Sequence, residues 1–123
     1  MYSATDDSYN YILASVNFIN TRILVDTGAS RTCISENYLQ RIFARQNSHQ
    51  SIKSCTLTNM LSATGTLLKV LGTIELDIRI NNYMIPQTFY VIRNLHHSCI
   101  LGIDMLQRCH AVIDVHNRLL RLF

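Results

Sequence analysis

The stretch Ile23-Leu24-Val25-Asp26-Thr27-Gly28-Ala29-Ser30 sets a carboxylate at the end of a short apolar run and follows it with a hydroxyl and a glycine. Ile and Val flank Leu24, the composition of a buried strand, and Asp-Thr-Gly supplies the residues of a tight turn. Asp-x-Gly is also ordinary turn chemistry, so the triplet alone decides little. The residues around it carry the rest.

Upstream, Tyr11 to Phe18 and Thr21 to Val25 read as two strands joined at Ile19-Asn20, a hairpin leading into Asp26. Downstream, Tyr38, Leu39, Ile42 and Phe43 repeat at helical spacing for about one or two turns before the polar stretch from Arg45 to Gln50. Leu67 to Ile80 alternates: Ile74, Leu76, Ile78 and Ile80 face one way and Thr73, Glu75, Asp77 and Arg79 the other, the pattern of a half-buried strand. Asn81-Asn82 suits a turn with left-handed backbone, and Thr88 to Ile92 resumes as an apolar strand. A short helix fits Ile103 to Arg108, where Asp104 sits near the positive end of the helix dipole. Ala111 to Val115 and Arg118 to Phe123 complete the chain as strands around His116-Asn117. The expected class is mainly β, and with 123 residues and no internal repeat or linker the expected organisation is one domain over 1–123.

Composition narrows the function. The formal charge of +3 comes from cations scattered singly, without the basic stripe that phosphate neutralisation needs, so nucleic-acid binding is not expected. No apolar run is long enough to span a bilayer. Residues 1–10 are polar, unlike a signal or transit peptide. Cys33, Cys55, Cys99 and Cys109 show no CxxC spacing; they read as reduced, mostly buried thiols, which suits a reducing cytoplasm and no metal. His96, His97, His110 and His116 read as solvated loop histidines.

A second landmark raises the first. Cys99-Ile100-Leu101-Gly102-Ile103-Asp104-Met105-Leu106 sets two apolar residues and a glycine ahead of the last helix. Between the landmarks lie a candidate hairpin at Ser62-Ala63-Thr64-Gly65 and the strand Phe89-Tyr90-Val91-Ile92. In this order, over Ile12 to Phe123, the chain resembles the retropepsins, the aspartic proteases of retroviruses and LTR retrotransposons, and is most similar to the gypsy-like branch. The resemblance implies a barrel-like subunit with a flap hairpin and one short C-terminal helix. It implies an endopeptidase that needs no cofactor and cuts a retroelement polyprotein, its own precursor included, in the cytoplasm or inside virus-like particles.

One Asp-Thr-Gly cannot supply the two carboxylates of that chemistry, so a homodimer is expected, with Asp26 from each copy. By resemblance Thr27 would bond across to the partner's loop, and Gly28 would let the backbone of an extended peptide lie close. Leu24, Gly28, Ala29, Ser30, Arg31, Cys33, Ser98 and Ile100 would contact substrate, and Ser62, Ala63, Thr64 and Gly65 would form the flap. Leu119 to Phe123 would intermesh with the partner's terminal strand. The chain departs from many retroviral members at Ser30 and Ile103, where an acidic residue and an arginine pair; both charges are missing here. Arg31, at the implied pocket edge, suits an acidic or polar substrate residue. The competing expectation is a domesticated, catalytically silent copy that serves as a dimerisation or peptide-binding module.

Overall fold

The structure, a computed structural model, describes residues 2–3, 11–62, 64–117 and 119–122. Its elements are β1 (Tyr2–Ser3), β2 (Tyr11–Val16), β3 (Ile19–Val25), β4 (Cys33–Ser35), α1 (Glu36–Gln46), β5 (Asn59–Leu61), β6 (Leu67–Ile80), β7 (Tyr83–Ile92), β8 (Cys99–Leu101), α2 (Ile103–Arg108), β9 (Val112–Asp114) and β10 (Leu119–Arg121).

Strands run in the order β2-β3-β8-β4-β7-β6, and β2 pairs back onto β6 through Ser15 with Arg79 and Val16 with Ile78, so the sheet closes into a barrel. Closure hides every lateral edge it joins. The expected alternation in β6 holds: Ile74, Leu76, Ile78 and Ile80 are buried, whereas Glu75, Asp77 and Arg79 are exposed. Their inward face meets Phe89 and Val91 of β7, Ile12 and Val16 of β2, and Ile23 of β3. Each such side chain contributes roughly 1.5–3 kcal/mol on burial. Leu39 and Ile42 of α1 and Met105 and Leu106 of α2 pack onto the same core.

Three boundaries differ from the sequence expectation. The β2–β3 turn falls on Asn17-Phe18, not Ile19-Asn20, because Ile19 is buried as part of the strand while Asn17 (φ 46°) and Phe18 (φ 68°) make the left-handed turn that a right-twisted hairpin favours. Asn17 also exchanges bonds with Asp77: its N–H donates to the carbonyl of Asp77 at 2.8 Å, and its Oδ1 accepts the Asp77 N–H at 2.9 Å. Helix α1 runs through Arg45 to Gln46, where a polar loop was expected. Those residues form its solvent face, and the stop comes at Asn47, left-handed at φ 48°. Strand β7 starts at Tyr83 and carries Pro86, which is tolerated because β4 pairs only with Tyr90 to Ile92 and leaves that side of Pro86 unpaired.

Beside the barrel, β1, β10 and β9 form a small antiparallel sheet. Leu120 of β10 is buried in the chain's own core. Among the residues whose burial is described, Val112, Ile113 and Val115 are the large exposed apolar ones of this sheet and its turn. Of the expected terminal strands, Arg118 and Phe123 lie outside the described residues. No helix among the described residues is long and apolar enough to cross a membrane.

Candidate active site

Asp26 follows β3 directly, and its N–H donates to the carbonyl of Leu101 at 3.0 Å, extending the parallel pairing of β3 with β8 by one residue. Its own carbonyl accepts from Ala29 N–H at 3.1 Å, closing a tight turn over Thr27 and Gly28. The Gly28 N–H donates to Asp26 Oδ1 at 2.9 Å, which orients the carboxylate. A Cβ on Gly28 would come within 3.2 Å of that same oxygen, a local reason for glycine here independent of any substrate. Asp26 is half-buried, while Thr27, Gly28, Ser30 and Arg31 are exposed.

The loop after Asp26 rests on the turn before α2. Ile103 N–H donates to the carbonyl of Ala29 at 2.8 Å. Thr32, fully buried, accepts the Gly102 N–H at its Oγ1 (3.1 Å) and donates that hydroxyl to Asp104 Oδ1 at 2.6 Å. Its N–H reaches Asp104 Oδ2 at 3.1 Å. The two landmarks of the sequence therefore touch.

Strand register puts Leu24 beside Ile100 and Ile100 beside Cys33, so three of the expected substrate contacts share one face. Leu24 and Ile100 are half-buried; Cys33 is 2% exposed, its Sγ against the carbonyl of Arg31 at 3.3 Å and Met60 Sδ at 3.7 Å, so on this face it is covered and not open to a ligand. Burial, reinforced by the charges of Asp104 and Asp26, pushes the Cys33 thiol up to about 12, which keeps it protonated and unreactive. Ser98 is half-buried and uses its carbonyl to accept Ser35 N–H at 2.9 Å. Arg31 is exposed, with its guanidinium 5.4 Å from the Tyr90 ring centre.

The hairpin between β5 and β6 packs against part of this region. Met60 and Leu68 pack on a second apolar cluster built from Cys33, Val70 and Ile92, with Ile100 against it. At its tip, Ser62 N–H donates to the carbonyl of Thr66 at 2.8 Å, and Ser62 Oγ accepts Thr66 N–H at 3.1 Å and bonds the Thr64 hydroxyl at 3.0 Å. Gly65 takes φ 85°. Ala63 lies outside the described residues.

Several residues of this region have no signature in the sequence. Nothing there singles out Thr32 or Gln87, and Asp104 shows only as a helix-start carboxylate. His97, expected to be solvated, is half-buried and shares a 2.8 Å bond with the Tyr11 hydroxyl. Burial, with His96 and Arg22 nearby, holds its pKa below the usual histidine value against the opposing pull of Asp26. No spacing rule reaches from Tyr11 to His97, so no local signal could have found that pair. Among the described residues, no three His, Cys, Asp or Glu side chains gather as metal ligands.

Comparison with known proteins identifies the family and the fold. The family described as “gag-polyprotein putative aspartyl protease” matches residues 12–108. Among curated proteins, the chain is 31% identical over 121 residues to DNA damage-inducible protein 1 of Kluyveromyces lactis, covering 98% of this chain and 28% of that one. It is 28% identical over 120 residues to UBA domain-containing protein Mud1 of Schizosaccharomyces pombe, covering 91% and 32%. The chain thus spans about a third of the length of these relatives or less. Among solved structures, the retroviral protease-like domain of Ddi1 from Leishmania major superposes with TM-score 0.68 at 19% identity, covering 99% of this chain and 89% of that one. The EIAV protease in complex with the inhibitor HBY-793 gives 0.65 at 18%, covering 85% and 91%. Both likenesses establish the retropepsin-like fold.

Proposed function

The chain belongs to the gag-polyprotein aspartyl protease family, and from that premise we propose that it is an aspartic endopeptidase completed by a second copy of itself. The observation that carries the proposal is the Asp26 carboxylate, oriented by the Gly28 N–H at the open end of a buried strand. The other carboxylate of this region, Asp104, already accepts from Thr32 and from its own helix through Met105 N–H at 2.7 Å. It is not free to serve as the partner acid. The second acid then comes from a twofold-related copy.

Two carboxylates within about 3 Å of each other cannot both ionise, so the pair holds one proton. The ionised member takes a proton from water as it attacks the peptide carbonyl, and the protonated member donates to the developing oxyanion. The tetrahedral intermediate collapses with the roles exchanged. An extended peptide would lie over Gly28, Ala29 and Ser30, with Leu24 and Ile100 receiving apolar side chains and Ser62, Thr64 and Gly65 covering it. Arg31 at the edge favours an acidic or polar residue.

The substrate we propose is a polyprotein, the word the family description carries. A second reading is favoured by the much longer curated relatives: a protease-like module of a host protein that binds peptides without cutting them. One experiment separates them. The purified chain should cleave a peptide library between about pH 4 and 7, with activity per subunit rising as the dimer forms. Asp26→Asn should abolish cleavage and leave folding intact. A fully dimeric chain that cuts nothing across that range would count against the enzyme and leave the binding module.

A further inference from the structure

Asp104 offers only acceptors when ionised, and the structure surrounds it with donors. Oδ1 accepts from the Thr32 hydroxyl and from Met105 N–H, at 2.6 and 2.7 Å. Oδ2 accepts from Thr32 N–H at 3.1 Å and, more weakly, from Gln87 Nε2 at 3.5 Å. Gln87, itself buried, accepts from Arg108 at its Oε1 (2.7 Å) and gives its Nε2 chiefly to the Thr88 carbonyl at 2.9 Å, so it is a minor donor to Asp104. The carboxylate therefore straddles Thr32, gripping hydroxyl and backbone together across 72 residues of sequence.

That grip bears on the reacting group. The segment from Asp26 to Thr32 is tied to the turn at Leu101 to Asp104 at its start by Asp26 N–H, in its middle by the Ala29 carbonyl, and at its end by Thr32. The contact is close enough that a Cβ on Gly102 would meet the Arg31 carbonyl at 2.5 Å. Ser30 and Ile103, on the two sides of this junction, carry no charge and cannot form an ion pair across it. A neutral amide at position 104 would set its NH2 group against a backbone N–H in either orientation, that of Thr32 or that of Met105, donor against donor.

We propose that Asp104 is a positioning residue: acting through Thr32, it clamps the active-site loop onto the turn before α2 and so fixes where the Asp26 carboxylate stands. This rests on the endopeptidase reading for its catalytic consequence, though not for the clamp itself. A capping carboxylate that merely starts α2 would support folding without affecting turnover.

The test uses Thr32→Val, which removes the hydroxyl, Thr32→Ser, which keeps it, and Asp104→Asn, each in the full chain at concentrations where it is dimeric. Steady-state kinetics on a cleaved peptide should show Thr32→Ser within about threefold of wild type. Thr32→Val and Asp104→Asn should lose about 10- to 100-fold in kcat per folded dimer, the cost of a small misplacement, with KM changed less than about threefold. Amide exchange supplies a readout that needs no activity. The Gly102 N–H should exchange at least about tenfold faster in Thr32→Val, and the Gly28 amide resonance, which reports the Asp26 carboxylate, should shift in Thr32→Val and Asp104→Asn but not in Thr32→Ser. If Thr32→Val does not fold, Asp104→Asn against Thr32→Ser makes the same distinction. Unchanged kcat together with an unmoved Gly28 resonance would overturn the clamp. If wild type cleaves nothing, the enzyme reading falls alone and the two amide signals decide the clamp.

Discussion

Gly102 is where the two halves of the site touch most closely. A methyl group there would lie 2.5 Å from the carbonyl carbon and oxygen of Arg31 and 3.0 Å from the carbonyl oxygen of Ala29, all of them backbone. Backbone cannot swing aside as a side-chain tip can, so Gly102→Ala should cost roughly 1–3 kcal/mol as an overpacked site does, seen as a lower midpoint in urea. Turnover should fall further than stability, because the atoms displaced belong to the loop carrying Asp26. His97 gives a prediction of pH dependence. Its pKa lies below 6.5 in the folded chain, chiefly through burial, so below about pH 6.5 the unfolded chain binds its proton more readily. The stability it contributes is present above that pH and is lost as pH falls through the folded value. The ring-proton NMR titration of His97 should have a midpoint under 6.5, and His97→Gln should flatten the acid-side loss of stability. A midpoint at or above the usual value would refute this. Residue by residue, the turn at Asp26, Thr27 and Gly28 was legible because its residues are contiguous. The Thr32–Asp104 and Tyr11–His97 pairs join positions 72 and 86 residues apart, and only the closed barrel brings them together.

At the scale of elements, the half-buried strand was the easiest to read and the turn the hardest. β6 advertises itself because one face meets core and the other water over its whole barrel segment. The start of the same strand does something else. The register shifts between Val70 and Gly72, and on the far side Leu68 belongs with Met60 and the second apolar cluster, so one strand serves both barrel and hairpin. Apolar spacing carries no sign of that division. Helix α1 was half legible: Leu39 and Ile42 mark its buried face, whereas its last turn is polar and its end depends on the left-handed Asn47. Ser62 offers the test of the hairpin. Its hydroxyl accepts Thr66 N–H and bonds Thr64, so it braces the tip, and it belongs to neither described apolar cluster. Ser62→Ala should change the thermal midpoint little, since exposed substitutions of this kind stay within about 0.5 kcal/mol. If the hairpin covers a bound peptide, KM should rise several-fold with kcat less affected. Equal loss in both, or in neither, would remove the hairpin from substrate binding.

For the whole molecule, the decisive fact is an imbalance. The barrel is closed, its described buried side-chain polar atoms are all paired, and its core is continuous from β2 to α2, yet among the described residues the proposed site offers Asp26 alone as an available acid. On the proposed reading a symmetric assembly completes the site, because a twofold axis beside Asp26 would double every group at once. Leu120 is buried in the chain's own core, so among the residues whose burial is described Val112, Ile113 and Val115 are the large exposed apolar ones of the small sheet and its turn. The stoichiometry can be tested without knowing the interface. If each active unit takes Asp26 from two copies, mixing wild type with an equal amount of Asp26→Asn and letting subunits exchange should leave about a quarter of the dimers with two intact carboxylates. Activity should then drop to about half that of the same wild-type protein measured alone, because half the wild-type subunits have paired with inactive copies. Excess Asp26→Asn should drive it toward zero. Sites acting within single copies would instead keep full activity at every mixing ratio, and sedimentation run alongside would show whether exchange had occurred. Full activity with exchange demonstrated would end the shared-site proposal and send the search for the second acid back into the chain itself.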